Sequence, residues 1–400
     1  MVGAGVSKRF QIAVIGKGMV GSAAARHLAL AADGVAVIGP DEPPVRADHD
    51  DVFGSHYDEG RIYRVLDRDP IWAQLASRSI DRYAEIEEQS GIAFHSEVGM
   101  LAASASGSVD FVEAYARTGD ALGATFERLD ADGLAARFPY LKFGPAGSGA
   151  FEYPRAGHIS PRRLVAAQTA AAERHGATVI REPVHAVTVD ADGVTVTTAS
   201  GKTVLAERAL VATGGFANVH AVLPRPVSIV VKGRTIVLAE VAPSALERLR
   251  AMPSLIVDGT APLNDPYILP PIQYPNGRWY VKLGTGQLGR QLQTLDELGA
   301  WFRSSGAALD REQLTETLVA LIPDLAGAQI HTDTCVVTAT ATGYPYVDEV
   351  VPGRLYVAVG GNGKAAKSSD EIGRLGAMLA LHGDWQDDLP ADAFRACYAD

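Results

Sequence analysis

Apolar and polar positions alternate in blocks that read as strand, helix and strand from the first tens of residues onward. Residues 10–15 form an almost wholly apolar run of strand length ending in Gly16, the pattern of a central parallel strand buried on both faces. Residues 21–30 are rich in Ala and Leu, which favour helix, and after Asp33-Gly34 the run VAVI at 35–38 predicts a second buried strand. That is one βαβ unit. Further on, Ser160-Pro161 predicts a helix start, with serine as the cap and proline at the first helical position; the helix runs to 174 and stops at Gly176. A strand at 177–180 follows. Two alternating runs are then joined across Asp192-Gly193, a hairpin signal, and after the turn at Ser200-Gly201 the chain enters the apolar segment ALVATGG.

The stretch 222–324 has more proline and contains amphipathic segments such as 295–302, and it resembles neither flank. Near the end, the apolar run 355–359 leads into Gly360, Gly361 and Gly363 and then a helix reaching 381. Gly16-x-Gly18-x-x-Gly21 lies directly between the first strand and the first helix, which is where a dinucleotide fingerprint must stand. The glycines allow a tight turn, close approach of the backbone to a pyrophosphate and close helix packing. The free N–H groups of the helix start, at Met19 and Val20, face the phosphates. The expected fold is therefore α/β: a discontinuous Rossmann-type dinucleotide domain built from 8–92, 152–221 and 325–384. A second, substrate domain on a mixed or antiparallel sheet uses 93–151 and 222–324, and the acidic stretch 385–400 is expected to be a surface tail. Gly3 and Gly5 precede no helix and read as linker.

Composition narrows the function. With 400 residues, 47% of them hydrophobic, the chain can bury a large core, and its length favours two joined domains. A net charge of −11 argues against nucleic acid or an anionic membrane surface as partner, since both need a positive face. Only Cys335 and Cys397 are present, so neither a disulfide framework nor a cysteine-rich metal site is expected. Ten histidines show no metal-ligand spacing, and no metal is expected. Apolar windows are too short for a membrane helix, and the glycines at 16, 18 and 21 interrupt any leader-like stretch after Lys8 and Arg9. A cytoplasmic protein, monomeric or a small homo-oligomer, is the expectation. The acid that usually closes the second strand against the ribose is absent: Gly39-Pro40 stands there. Either Asp41 or Glu42 reaches the ribose from a displaced loop, Asp41 being the candidate, or that hydrogen bond is missing.

Four segments in order, the fingerprint, GSHYDEGRIYR at 54–64, CVVT at 335–338 and GGNGKAAKSS at 360–369, resemble the monomeric sarcosine oxidase and N-methyl amino acid oxidase family within the D-amino-acid-oxidase-like flavoproteins. The resemblance covers nearly the whole chain. It implies FAD as cofactor, with Ser55 and His56 near the flavin, Arg61 over its ring, and Ala212, Thr213 and Gly214 as a second FAD contact beside Val184 at the adenine. Cys335 matches the cysteine that forms a thioether to the flavin, and Gly361, Asn362 and Gly363 bring backbone N–H groups to its pyrimidine edge. Arg64 and Lys367 match the groups that hold the substrate carboxylate from opposite sides, with Lys364 a rival lysine. Lys282 matches the lysine that promotes reaction with molecular oxygen, although the alternation of RWYVKLG points it to solvent.

Three positions depart from the family pattern, the first bearing on the flavin contacts of Tyr57 to Gly60 and the other two on the substrate. Gly60 stands where the family has threonine, Val337 where it has tyrosine, and Gly286 where it has histidine. The last two remove polar bulk, so the expected substrate is larger or less polar than sarcosine, with Tyr267 a wall residue. The implied reaction is oxidation of the C–N bond of a small amino acid or N-alkyl or cyclic amino acid to an imine, with oxygen reduced to hydrogen peroxide. A dehydrogenase handing electrons to a quinone or protein, and a scaffold in which FAD is structural, are the alternatives.

Overall fold

The computed structural model describes residues 9–399. Gly3, Gly5 and Lys8 lie outside the described residues. The mixed α/β architecture expected from the periodicities is present, carried by two large sheets and a small one of three strands.

The first sheet has eight strands. Arg9–Ile15 lies at its centre, parallel to Val35–Ile38 on one side and to Thr203–Val211 on the other. Thr178–Ile180 extends one edge in parallel, and Leu355–Val359 pairs in parallel with the second half of Thr203–Val211. The hairpin Val184–Val189 with Val194–Thr198 adds antiparallel strands. Helices cover the sheet because its strands are apolar on both faces. The helices Met19–Ala31 and Ala365–His382 pack so closely that a Cβ on Gly373 would lie 2.6 Å from the Ala23 Cβ. An ionic hub pins them: buried Asp370 takes Arg26 at 2.9 Å, Gln168 at 2.8 Å and Arg82 at 2.5 Å, linking four helical segments. Burial alone would raise the Asp370 pKa, but His27, Arg82 and Arg26 outweigh it and hold the carboxyl well below its usual range.

The second sheet has nine strands and is mostly antiparallel, with one parallel pair between Ser254–Asp258 and Met100–Ser104. Its long strand Ile229–Glu240 carries a correction to the sequence-based division. The strand Ile330–Thr340, grouped from sequence with the dinucleotide segment 325–384, pairs along its whole length with Ile229–Glu240 instead. Cys335 therefore rides on the second sheet and faces the first across a cleft. Over its described residues, 385–399, the stretch expected to be a surface tail stays largely at the surface but packs against the fold. Phe394 is fully buried, Trp385 stacks on it at 5.2 Å, and Val227 bridges to Tyr398. Aromatic residues spaced among the acids give that segment something to bury, which net charge alone did not show.

Candidate functional site

One cavity of about 620 Å³ runs between the two large sheets. At one end the fingerprint glycines make a backbone cradle. Gly16 has φ of +101°, and a Cβ there would lie 2.5 Å from the Ala212 carbonyl oxygen; a Cβ on Gly21 would lie 1.8 Å from the Gly16 oxygen. The turn and the first helix thus close on each other only without side chains, which leaves the start of Met19–Ala31 pointing into the cavity. Gly16, Gly18, Met19, Val20, Val184, Ala212, Thr213 and Gly214 line this half, with Ser55 and His56 beside them. Burial is the main reason the His56 pKa falls, to about 3, with Lys17 and Arg162 adding to it, so this ring is neutral at physiological pH.

At the other end lies a cluster of cations. The strand Arg61–Tyr63 delivers Arg64, and the helix start at Lys364 delivers Lys364 and Lys367; all three line the cavity. Each reaches one carboxylate, that of Asp67: Arg64 Nη2 at 3.2 Å, Lys364 Nζ at 3.1 Å and Lys367 Nζ at 3.2 Å. Burial would raise the Asp67 pKa, but Lys367, Arg64 and Lys364 together hold it well below the usual carboxylate range. Three cations against one anion leave a net charge of +2 on the wall. Glu152 fixes the segment, accepting from Val65 N at 2.9 Å and Leu66 N at 3.0 Å.

Between the two ends, Cys335 is buried at 9% exposure and lines the cavity. Directly across its antiparallel pair stands Arg234, whose side chain shares that face of the sheet. Arg234 makes no ion pair among the described residues and also lines the cavity. Burial lowers its pKa, partly offset by Cys335 and Tyr267. Tyr267, Val337, Thr285 and Gly286 complete this wall. Lys282 is fully buried, contrary to the outward direction its strand pattern gave, because Trp279–Thr285 is covered on both faces. Its Nζ donates to Asp58 Oδ2 at 2.5 Å and to the Gly60 carbonyl at 2.8 Å. Asp58 also takes Arg61, which lines the cavity, and accepts from Tyr274 OH at 2.9 Å.

Three expected contacts stand off the wall. Gly21 acts behind it through packing. Lys282 sits one layer back, behind Arg61 and Asp58. Asp41 is drawn away from the cavity, since its carboxylate pairs with Lys17 Nζ at 2.5 Å and with Arg181 Nε at 3.3 Å and is half-exposed. Lys17, Gly39 and Pro40 line the cavity there instead. At Gly60 a Cβ would lie 2.8 Å from Leu269 Cδ1 and 2.9 Å from Ile272 Cδ1, so the volume of the missing threonine is filled by neighbours. Asp67, Asp58 and Arg234 were not legible from the sequence: each owes its place to pairing with residues far along the chain.

The FAD dependent oxidoreductase family matches residues 11–379. The chain belongs to this family. It is 32% identical over 198 residues to a monomeric sarcosine oxidase of Streptomyces avermitilis, a match covering 48% of this chain and 49% of that protein, so the aligned stretch spans about half the length of that relative. Among solved structures, NikD, an amino acid oxidase essential for nikkomycin biosynthesis, superposes with a TM-score of 0.77 at 20% identity over 98% of each chain. L-proline dehydrogenase from P. horikoshii superposes with a TM-score of 0.76 at 17% identity, covering 98% of this chain and 97% of that one. These two likenesses establish the fold.

The residues present fit the family's cofactor. The glycine cradle and helix start suit a pyrophosphate, and the buried Thr213 hydroxyl on the cavity wall has no partner within the protein. Asn362 takes the left-handed region at φ of +50°, held by the Thr340 N–H donating to its Oδ1 at 3.0 Å, and so shapes the Gly361–Gly363 loop at the far end. Among the described residues no helix is long and apolar enough to cross a membrane.

Proposed function

We propose that this oxidoreductase oxidises the C–N bond of a small amino acid, or an N-alkyl or cyclic amino acid, to an imine, with oxygen reduced to hydrogen peroxide. The observation that carries this reading is the convergence of Arg64, Lys364 and Lys367 on Asp67 at the cavity wall: the protein already binds a carboxylate there and has two positive charges in excess for a second. A guanidinium fork and an ammonium suit a carboxylate better than any neutral group. When bound, FAD supplies the two-electron acceptor and then the electrons for oxygen. The chain's own part is to fix the substrate carboxylate with Arg64 and Lys367, and to enclose the side chain between Tyr267, Val337 and Gly286. With small or apolar groups at 337 and 286, a cyclic or aromatic amino acid fits better than sarcosine.

A peroxide screen over amino acids, with proline analogues, aromatic amino acids and sarcosine, tests the reading. Stoichiometric peroxide is expected from a cyclic or aromatic member, and a flavin that no amino acid bleaches without oxygen would overturn it. The position of Lys282, engaged by Asp58 and Gly60 behind the wall, favours a second reading, a dehydrogenase using another acceptor. Substrate-dependent bleaching without peroxide in air would establish that one.

The same proposal places a thioether between Cys335 and the flavin. The buried sulfur on the cavity wall, between the glycine cradle and the cation cluster, supports this. Acid precipitation of the wild type is expected to leave the yellow colour on the protein, and Cys335→Ala to release it. Colour released from the wild type would remove the linkage and leave the dinucleotide site standing.

Protonation of Lys367 gives the reaction a pH limit. Burial is the largest influence on this ammonium and Asp67 opposes it, and the net effect brings its pKa down to about 8. The cation that a substrate carboxylate needs is therefore present below that pH and lost as pH rises through it. KM is expected to climb above about pH 8, while Lys367→Met gives a raised KM that is flat over the same range. A wild-type KM that stays constant from pH 7 to about pH 9 removes Lys367 from carboxylate binding.

A further inference from the structure

At the end of the cavity nearest Val184, three side chains that the proposed reaction does not use point their ligand atoms at one another. We propose that Asp51, His185 and His220 bind a single divalent transition-metal ion of the zinc type. His185 Nε2 lies 3.0 Å from Asp51 Oδ2, His220 Nε2 lies 3.5 Å from Asp51 Oδ1, and all three ligand atoms fall within 4.8 Å of one another. Metal bonds of roughly 2.0–2.2 Å at tetrahedral to octahedral angles set neighbouring ligand atoms about 3.0–3.6 Å apart. Each histidine nitrogen already stands at such a spacing from one of the two carboxylate oxygens, His185 from Oδ2 and His220 from Oδ1. The imidazoles stack with centroids 4.6 Å apart at 24°, which sets the rings side by side.

Backbone pairing holds this arrangement. His185 is the extra residue at an irregularity in the Val184–Val189 pairing, between Val184 opposite Thr198 and Ala186 opposite Thr197; such a bulge re-aims a side chain. Next to it, Ala186 bridges to Ala221 and Val187 N donates to the Ala221 carbonyl at 2.8 Å, which sets His220 beside His185. The carboxylate is oriented by Val52 N, donating to Asp51 Oδ1 at 2.7 Å. His220 Nε2 is buried and lacks a hydrogen-bond partner, an unsatisfied atom that an ion would complete. Two imidazoles and one carboxylate suit zinc-like ions better than calcium or magnesium, which prefer oxygen. His220 and Val52 line the cavity while His185 is partly exposed, so an ion has a route from solvent and would tie three separate segments together at the cavity rim.

The site stands independently of the reaction. The test is calorimetric titration of zinc sulfate into the full-length FAD-loaded protein after chelator treatment and dialysis. One zinc per chain is expected at micromolar concentration, and His185→Ala and His220→Ala each weaken it by at least about tenfold with unchanged flavin absorbance and Tm in the absence of metal. Absence of binding by the wild type in that range, or binding by both histidine variants as tight as the wild type's, overturns the site. Should either variant fail to fold, Asp51→Asn, with the same expected loss, decides.

Discussion

Arg64→Met is expected to lower kcat/KM for the amino acid substrate by about two to three orders of magnitude, mostly through KM. Methionine keeps the apolar stem and the volume but removes the fork. Truncating one partner of a buried, hydrogen-bonded charge pair costs about 2–5 kcal/mol, and each 1.4 kcal/mol is tenfold. Arg64 is only 8% exposed, and its Nε is buried with no partner, available to an arriving carboxylate. The substitution also lowers the wall charge from +2 to +1, since Lys364 and Lys367 remain opposite Asp67. Carboxylate binding is made in ground and transition state alike, which places the loss in KM. Steady-state kinetics across substrate concentrations, with flavin content measured in parallel, checks it. An unchanged KM in a fully flavinated variant moves the carboxylate elsewhere in the cavity.

Lys282→Met is expected to slow reoxidation of the reduced enzyme by oxygen by about 10²- to 10³-fold while leaving anaerobic reduction by substrate nearly unchanged. With Lys282 in its ammonium form, Lys282, Arg61 and Asp58 carry a net charge of +1 as a group, and removing the lysine brings it to zero. A fixed charge in a dry site that meets developing negative charge is worth about 3–4 kcal/mol. Burial and the Arg61 charge push the Lys282 pKa down, whereas the Asp58 carboxylate at 2.5 Å accepts a hydrogen bond from the ammonium. Stopped-flow mixing of reduced enzyme with oxygenated buffer separates the two half-reactions. Equal reoxidation rates in variant and wild type would take oxygen chemistry away from Lys282 and favour the dehydrogenase reading.

The parts of the site that could be read in advance are those whose signal is local. The glycines at 16, 18 and 21 announce the cradle because only their lack of side chains lets turn and helix meet. Arg64 and Lys367 lie in segments whose order along the chain resembles a known family, and both arrive at the same wall. The misplacements share one cause. Asp41 has a cationic partner, Lys17, and the pattern of the loop does not show it. Lys282 follows an alternation that normally faces water, but helices and a second layer cover its strand.

By itself the sequence determined the secondary structure of the βαβ unit, the hairpin and the last strand and helix, because hydrophobic period and glycine placement act within a turn or two of chain. Through the family resemblance it also pointed to residues that line the cavity, among them Arg64, Cys335 and Lys367. Only the tertiary structure decided which sheet receives Ile330–Thr340, why Asp67 gathers three cations, and how Asp51, His185 and His220 meet at a bulge. Those outcomes depend on pairing between residues tens to hundreds of positions apart, where the deciding terms are burial of charge and completion of hydrogen bonds, and neither leaves a periodic mark on the chain.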